Sequence, residues 1–457
     1  MSEFNLFDEF PQVSAKQWKQ KIQFDLKGAD YNETLVWESA EGIKVKPFYH
    51  SEDLGGVTSP GKESKEWYIA QSIFVGDSAK ANAKAKEILG KGIESLVFTI
   101  PNAEISLIDL LQGIDLAKTP IHFHFEFLDL NPIKELVTFL ENKDCQVFFH
   151  IDSIGHLLCT GNWYQSQKED SAKLEELLNL TKSHKTIFPL GIDVSVLQNA
   201  GADLVQQLAY ALAHANEYLN RYKSTFSKPT FTIAVGGNYF FEIAKIKALR
   251  WLWSTLASEY GVNTECRILA TPSKRNKTLY DYNVNMLRTT SECMSAILGG
   301  ADTVCNLAYD GIYHKDNEFA ERIARNQLVL LKEESYFEET ANATEGAYYI
   351  ESLTQELAEK ALALFKQIEA SGGFLDMLYR GKIQQKLSES ALKEQALFDE
   401  GQTTLVGTNK YENPKDRMKD DMELYPFLKK RSEKTQIIPI IEKRLAEELE
   451  QKRLDDE

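Results

Sequence analysis

Short apolar runs alternate with longer stretches of helical periodicity from about residue 68 onward. A typical helical stretch carries Leu204, Leu208, Ala211 and Ala215 at intervals of three or four residues, which places them on one helix face. Eight apolar runs are each followed by ten or more residues of helical character, at 68–75, 95–100, 121–127, 146–151, 187–194, 230–235, 266–270 and 303–307. This alternation predicts parallel strands joined by right-handed helical crossovers.

Eight such units match the strand number of a closed (β/α)8 TIM-type barrel, whose usual length is about 250 residues. An open doubly wound sheet is the alternative, and we favour the barrel. The predicted α/β protein has three parts, namely an N-terminal arm over 1–67, the barrel over 68–336, and a helical extension with a charged tail over 337–457. Functional groups of the barrel are expected at the C-terminal ends of its strands.

The arm and the extension carry further patterns. The arm is rich in aromatic residues for a segment outside the barrel, namely Phe4, Phe7, Phe10, Trp18, Phe24 and Trp37. They form either part of the core or an interface with another chain. In the extension, Ser352 and Gln355 have the spacing of a capping box, Gly372 and Gly373 are expected to end that helix, and a last helix is expected over about 440–454.

Composition excludes several classes of function. The formal net charge of −16 opposes binding to a nucleic-acid backbone. No apolar run is long enough to span a bilayer, so no membrane partner is expected. The five cysteines form no C-x-x-C pair and the N-terminus resembles no targeting signal, which is typical of a cytoplasmic protein.

The third apolar run offers a candidate metal site. His122, His124 and Glu126 alternate with phenylalanines, so these polar side chains share one face of the strand. Two histidines two positions apart can bind a metal ion, and a metal-dependent hydrolase is therefore an alternative function. Further ligands could come from His150, Asp152, His156 and Asp193. A packed, hydrogen-bonded polar barrel interior gives the same pattern, and we favour that interpretation.

Four other polar residues are expected near the barrel mouth: Asp193, Asn238, Arg275 and Asn306. Asn238 follows Gly236 and Gly237 and opens a helix. This turn could present backbone N–H groups to a phosphate, but a tight turn with Asn238 as N-cap is the simpler interpretation. A barrel that binds a coenzyme A ester without catalysis remains a third possibility.

Several segments, in order along the chain, resemble the methylmalonyl-CoA mutase family. They read NYFFEIAKIKALR at 238–250, NMLRTTSECMSAILGG at 285–300, RIARNQ at 322–327 and GAYYIE at 346–351. The arm agrees through DLKG at 25–28, LVW at 35–37 and EGI at 41–43. The resemblance implies a (β/α)8 barrel through which an acyl-CoA threads, and an adenosylcobalamin-dependent isomerisation of (R)-methylmalonyl-CoA and succinyl-CoA.

At the family's catalytic positions the chain departs from the pattern. The family's substrate-covering tyrosine falls in a segment that reads GKESKEWYIAQS here and ends at Ser72, its carbonyl-binding histidine is Val196, and a further histidine is replaced near Cys305. The last histidine of the chain is His314, so no cobalamin-binding domain is expected. These losses resemble the small, non-catalytic chain of a two-chain mutase, whose large subunit would be the partner and would bind the cofactor. We therefore expect no catalytic, cofactor-binding or metal-binding residue in this chain.

Overall fold

Eight parallel strands close into a barrel in the computed structural model, which describes residues 9–54, 59–62, 64–223, 225–226, 228–428 and 433–457. The strands are β1 (Tyr68–Phe74), β2 (Ser95–Ile100), β3 (Ile121–Phe125), β4 (Val147–Ile151), β5 (Ile187–Asp193), β6 (Thr230–Val235), β7 (Arg267–Pro272) and β8 (Thr303–Cys305). Parallel pairing of β8 with β1 closes the ring. The predicted barrel is therefore confirmed, and the open sheet is wrong.

The arm lies outside the barrel. It contains α1 (Ala15–Asp25), α2 (Tyr31–Leu35), a hairpin of strands Trp37–Glu38 and Lys44–Val45, and the 3-10 turn Ser51–Leu54. The hairpin is anchored by Ile43, which is fully buried. No residue of α1 is buried. Two of the arm aromatics, Phe4 and Phe7, lie outside the described residues.

Helices follow the strands and cover the barrel. They are α3 (Ser78–Leu89), α4 (Leu107–Leu110), α5 (Asn131–Leu140), α6 (Ser153–Thr160), α7 (Gln167–Thr181), α8 (Ser195–Asn199), α9 (Leu204–Tyr222), α10 (Tyr239–Tyr260), α11 (Val284–Gly299) and α12 (Glu318–Val329), which continues as the π-helical turn Leu330–Glu334. Their starts follow local chemistry, as at α9, where Asp203 and Gln206 form a capping box.

The C-terminal extension packs on the barrel helices. Its helices are α13 (Tyr348–Ala370), α14 (Phe374–Tyr379), α15 (Lys382–Asp399) and α16 (Glu447–Asp455). Helix α13 begins at Tyr348, so the capping box expected at Ser352 is wrong. The first turn is held instead by Glu351, which pairs with buried Lys247 at 2.6 Å. Gly372 and Gly373 follow the end of the helix with positive φ, as expected.

Residues 433–446, which we name the C-terminal strap, cross the C-terminal face of the barrel. Their backbone N–H groups donate to loop carbonyls that follow β4, β5 and β7: Ile437 to Gly161, Ile440 to Leu158, Lys443 to Asn199, and Leu445 to Arg275. Because this stretch is extended, the last helix starts at Glu447 rather than near residue 440 as expected. The chain therefore covers part of its own barrel mouth.

Candidate functional site at the barrel mouth

Five rings fill the centre of the barrel, and we name them the axis cluster: His122, His124, Phe148, His150 and Phe188. Strand pairing places His122 opposite Phe148 and Phe148 opposite Phe188. The ring centroids are 4.4 Å apart for the first pair and 4.8 Å for the second. Closer to the mouth, His124 stacks on His150 at 4.3 Å. These contacts pack side chains against one another inside the barrel along β3, β4 and β5.

Unusual backbone geometry holds His150 in this cluster. Its φ is +44°, in the left-handed region that a non-glycine residue rarely adopts. The pairing of β4 with β5 shifts register between Phe148 and Ile151, so His150 occupies a bulge. On the neighbouring strand, a Cβ at Gly191 would lie 2.7 Å from the Cα of His150. The bulge therefore requires glycine at position 191.

The three axis histidines are neutral at physiological pH. Burial lowers the pKa of His122 to about 3 and that of His124 to about 4, and it also lowers the pKa of His150. Nδ1 of His122 lies 2.8 Å from Nε2 of His150, which is a hydrogen bond between the two rings. Within the described residues, no group of three or more histidines, cysteines or carboxylates is arranged to hold a metal ion. The geometry therefore favours the packed polar interior over the metal site.

Asp152, considered above as a further metal ligand, joins the loops instead. Its Oδ1 accepts hydrogen bonds from His214 at 2.9 Å and from the Tyr218 hydroxyl at 2.7 Å. Its Oδ2 accepts from the backbone N–H of Asp193 at 2.8 Å. Burial raises the pKa of Asp152, but His214 and these hydrogen bonds outweigh it and hold the pKa below its usual value. The carboxylate thus fixes the loops after β4 and β5 against α9.

Arg275 lies at the mouth as expected, but its guanidinium is committed to structural contacts. Its Nε donates to Glu394 at 2.8 Å, and its Nη1 donates to the backbone oxygen of Lys443 at 2.6 Å. The side chain is 5% exposed. Arg275 therefore binds helix α15 and the C-terminal strap rather than presenting a free cation to a ligand.

Asn306 is also used within the chain. Its amide donates to the backbone oxygen of Ala324 and to the side chain of Gln327, each at 2.9 Å. Its Oδ1 accepts from the N–H of Leu307 at 2.9 Å and from the thiol of Cys293 at 3.4 Å. Asn306 thus connects β8 to helices α11 and α12.

Asp193 and Asn238 lie on the β5 and β6 side of the mouth. Asp193 accepts hydrogen bonds from the backbone and hydroxyl of Ser195, and burial raises its pKa. Asn238 stands at the N-cap position of α10 but makes no capping hydrogen bond with its side chain. The N–H of Gly236 donates to Glu242 at 2.8 Å, so this donor of the glycine turn is already used inside the protein.

A cavity of about 230 Å³ lies beside Asn238 and reaches the arm. Its lining carries carboxylates from four separate segments: Glu41, Asp203, Glu242 and Glu394. Burial is the main cause that raises the pKa of Asp203 to about 6, and nearby Glu41 adds to it. Glu242 and Glu394 are paired with Lys245 and Arg275, so Glu41 and Asp203 are the carboxylates of this lining that oppose the phosphate groups of a coenzyme A ester.

The three positions at which the chain departs from the family motifs lie in different surroundings. Ser72 is exposed on β1. Val196 is buried in α8, just after β5. Cys305 ends β8, and burial raises the pKa of its thiol to about 12, although a hydrogen bond with the backbone of Ser72 acts against this. Val196 therefore supplies no hydrogen-bond donor for a carbonyl, and Cys305 supplies no thiolate nucleophile near neutral pH.

His314, the last histidine of the sequence, lies in the loop after β8. Its Nδ1 lies 3.1 Å from Asp310, and its Nε2 lies 2.7 Å from the backbone oxygen of Asp421. Both ring nitrogens are therefore occupied by contacts that join the loop after β8 to residues of the tail. His314 does not fit the role of a cobalamin ligand.

Sequence reasoning missed two members of the axis cluster, Phe148 and Phe188. Phe148 alternates with His150 along β4, so the period-two pattern that placed His122 and His124 on one face also places these two together. The bulge at His150 breaks the period-two pattern after that point. No sequence pattern identified Phe188, since it lies in a continuously apolar strand.

The fold places this protein in the class of (β/α)8-barrel proteins. Its eight parallel strands form a closed barrel that carries an N-terminal arm and has side chains packed inside. The family model for methylmalonyl-CoA mutase matches residues 106–455. The chain therefore belongs to the methylmalonyl-CoA mutase family, as the sequence motifs predicted. The match includes all four family-like segments of the barrel and the extension, whereas the arm motifs precede it.

Curated relatives include both chain types of two-chain mutases. The methylmalonyl-CoA mutase small subunit of Porphyromonas gingivalis is 34% identical over 89% of this chain and 71% of its own length. The large subunit of the same organism is 33% identical over 85% of this chain and 62% of its own length. The small subunit of Streptomyces virginiae is 27% identical over 89% of this chain and 72% of its own length. Large and small subunits thus share one ancestry with this chain.

Among the described residues, no helix combines the length and the apolar character needed to cross a membrane.

Proposed function

We propose that this chain is the small, non-catalytic subunit of a coenzyme B12-dependent methylmalonyl-CoA mutase. Its role is to bind the large subunit and stabilise it in an active conformation. The large subunit then holds adenosylcobalamin and isomerises (R)-methylmalonyl-CoA and succinyl-CoA. The complex is a cytoplasmic heterodimer in which residues 1–67 of this chain act as the partner-binding arm, 68–336 as the barrel and 337–457 as the extension.

The filled barrel axis is the observation that carries this proposal. An acyl-CoA can thread a barrel only if the interior leaves room for its extended chain. Here the rings of His122, Phe148 and Phe188, on the neighbouring strands β3, β4 and β5, stack side by side inside the barrel, and each residue is at most 9% exposed. Removing a buried phenylalanine ring costs about 3–5 kcal/mol, so displacing two of them opposes threading strongly.

The exposed aromatic residues of the arm support the proposal that this chain binds a large subunit. Phe10, Trp18 and Phe24 are 70%, 50% and 80% exposed, and they lie in or beside a helix that buries no residue. Large aromatic residues with this exposure are typical of protein interfaces. The names of the relatives in Porphyromonas gingivalis and Streptomyces virginiae, where small and large subunits occur together, indicate the kind of partner.

Co-expression with and without the large subunit tests the proposal. We expect the two chains to co-elute in size-exclusion chromatography and the complex to show cobalamin-dependent mutase activity. This chain alone, supplied with adenosylcobalamin and methylmalonyl-CoA, is expected to show no turnover. Turnover by the isolated chain would contradict the non-catalytic role. A stable, active large subunit that never co-elutes with this chain would contradict the partner role.

The metal-dependent hydrolase is tested by elemental analysis of the same purified chain. Stoichiometric zinc, manganese or iron, lost together with hydrolase activity in a His122→Phe variant, would support that alternative. The hydrogen bond between His122 and His150 makes this outcome unexpected. Calorimetric titration with methylmalonyl-CoA tests the third alternative, a barrel that binds a coenzyme A ester without catalysis. No heat is expected from the isolated chain.

A further inference from the structure

A small cavity lies at the N-terminal end of the barrel, below the axis cluster. It is lined by residues of several strands, among them His122, Phe148, Thr230, Arg267 and Asp302. The space open to the centre of a water molecule is about 10 Å³. A cavity needs roughly 10–15 Å³ of such space to hold one water molecule, so this cavity is the size of a single water.

Two buried polar atoms belong to the lining residues and have no hydrogen-bond partner among the residues that the structure describes. They are Nε2 of His122 and Oγ1 of Thr230. Each of the two residues is 1% exposed, so bulk solvent does not reach these atoms. Leaving a buried donor or acceptor unsatisfied costs about 1–3 kcal/mol, and folded proteins rarely tolerate two such atoms beside one cavity.

The same histidine belongs to a chain of hydrogen bonds that crosses the barrel. Nδ1 of His122 lies 2.8 Å from Nε2 of His150, and Nδ1 of His150 lies 3.4 Å from Oγ1 of Thr232. A neutral imidazole has one donor and one acceptor nitrogen, so the two rings share one donor direction along this chain. Nε2 of His122 is the end of the chain that lies beside the cavity.

The bottom of the barrel beside this cavity is closed by charged residues. The carboxylate of Asp302 lies 2.6 Å from Arg250, 3.4 Å from Lys62 and 3.4 Å from Arg267. Burial raises the pKa of Asp302, but these three cations outweigh it and lower the pKa to about 2. The carboxylate therefore stays ionised and paired.

We propose that the cavity binds one water molecule, which hydrogen-bonds to Nε2 of His122 and Oγ1 of Thr230 and completes the hydrogen-bond chain to Thr232. The bound water gives a hydrogen-bond partner to both unsatisfied buried atoms, and it can do so for either tautomer of His122 because water both donates and accepts. The filled barrel axis is then a hydrated polar structure rather than a dry core. This site does not depend on the proposed function.

A crystal structure of the full chain at about 1.5 Å resolution tests the proposal. We expect a density peak at hydrogen-bond distance, about 2.7–3.2 Å, from both His122 Nε2 and Thr230 Oγ1. Thr230→Val replaces the hydroxyl by a methyl group of similar size and is expected to remove the peak. Thr230→Ser keeps the hydroxyl and is the matched control, so the peak is expected to remain.

Absence of the peak in the wild-type map, with both side chains ordered, would overturn the proposal. A peak that persists unchanged in Thr230→Val would also overturn it, because the water would then not depend on that hydroxyl. If Thr230→Val does not fold, the wild-type map decides by the presence or absence of the peak. Magnetic relaxation dispersion on the wild-type protein, which detects long-lived internal water, provides an independent measurement.

Discussion

The arm and the barrel axis use aromatic residues in opposite ways. In the axis cluster, the rings of His122, Phe148 and Phe188 are packed against each other. In the arm, Trp18 and Phe24 are half or more exposed, and helix α1 buries no residue. Rings are thus packed inside the barrel, while apolar surface is exposed on a segment outside it. On the proposed function, this difference places the surface that binds the large subunit in the arm.

The largest effect is expected from opening the barrel axis. Phe148→Ala removes the ring between His122 and Phe188 and should lower the free energy of unfolding by about 3–5 kcal/mol, because a buried cavity remains. Phe74→Ala, on β1 but 57% exposed, is the matched control and should change it by about 0.5 kcal/mol or less. Urea denaturation measures both, and a cost below about 1 kcal/mol for Phe148→Ala would show that the axis is not tightly packed.

A smaller loss of stability is expected from a substitution at Gly191, which lies against the bulge at His150. Gly191→Ala introduces a Cβ that would lie 2.7 Å from the Cα of His150, and relief of this overlap should cost about 1–3 kcal/mol. Gly76→Ala is the control, since no atom lies within 4 Å of its added Cβ. Equal thermal stability of the two variants would mean that the His150 bulge adapts freely.

Substitution in the arm should leave folding intact and weaken association. Phe24→Ser removes an 80% exposed ring, so stability should change by about 0.5 kcal/mol or less. Affinity for the large subunit should fall about tenfold or more, which corresponds to about 1.4 kcal/mol. Leu287→Ser, 70% exposed on α11, is the matched control, and surface plasmon resonance compares the two. Equal affinities of the Phe24→Ser and Leu287→Ser variants for the large subunit would show that the arm does not contribute to the interface.

A pH-dependent effect is expected at the contact between the arm and the barrel. The pKa of Asp203 is raised to about 6, above the value of about 3.9 in an unfolded chain, because the residue is buried near Glu41. A raised carboxyl pKa contributes stability below pH 4 that is lost as the pH rises through 6.

Wild-type protein should therefore lose about 2 kcal/mol between pH 4 and pH 7 that Asp203→Asn does not lose. Urea denaturation at the two pH values measures the difference. Asp77→Asn, at the exposed N-cap of α3 away from the arm, controls for the loss of an N-cap charge. Parallel pH profiles of wild-type and Asp203→Asn proteins would show that Asp203 is not coupled to the arm contact.

Sequence periodicity was sufficient to predict the barrel, but it was not sufficient to predict how the side chains pack inside it. Strand-helix alternation identified all eight strands, because each strand is a short apolar run followed by an amphipathic helix. The alternation of His122 and His124 correctly indicated one shared face. It did not indicate the bulge and the positive φ at His150, which lie where the pairing of β4 with β5 shifts register.

The mouth residues show a second limit of sequence reasoning. Arg275 and Asn306 were expected to be available at the strand ends, and both lie there. Their side chains are committed to Glu394, the C-terminal strap and α12, which are distant in sequence. Spacing along the chain carries no information about such long-range partners.

The mass of the complex formed with the large subunit tests most directly whether the aromatic residues of the arm bind that subunit. Wild-type chain and the triple variant Phe10→Ser, Trp18→Ser, Phe24→Ser are each co-expressed with the large subunit and analysed by light scattering after size-exclusion chromatography. We predict a heterodimer for the wild-type chain and separate chains for a folded triple variant. A heterodimer of equal mass and equal affinity with the triple variant would contradict the account.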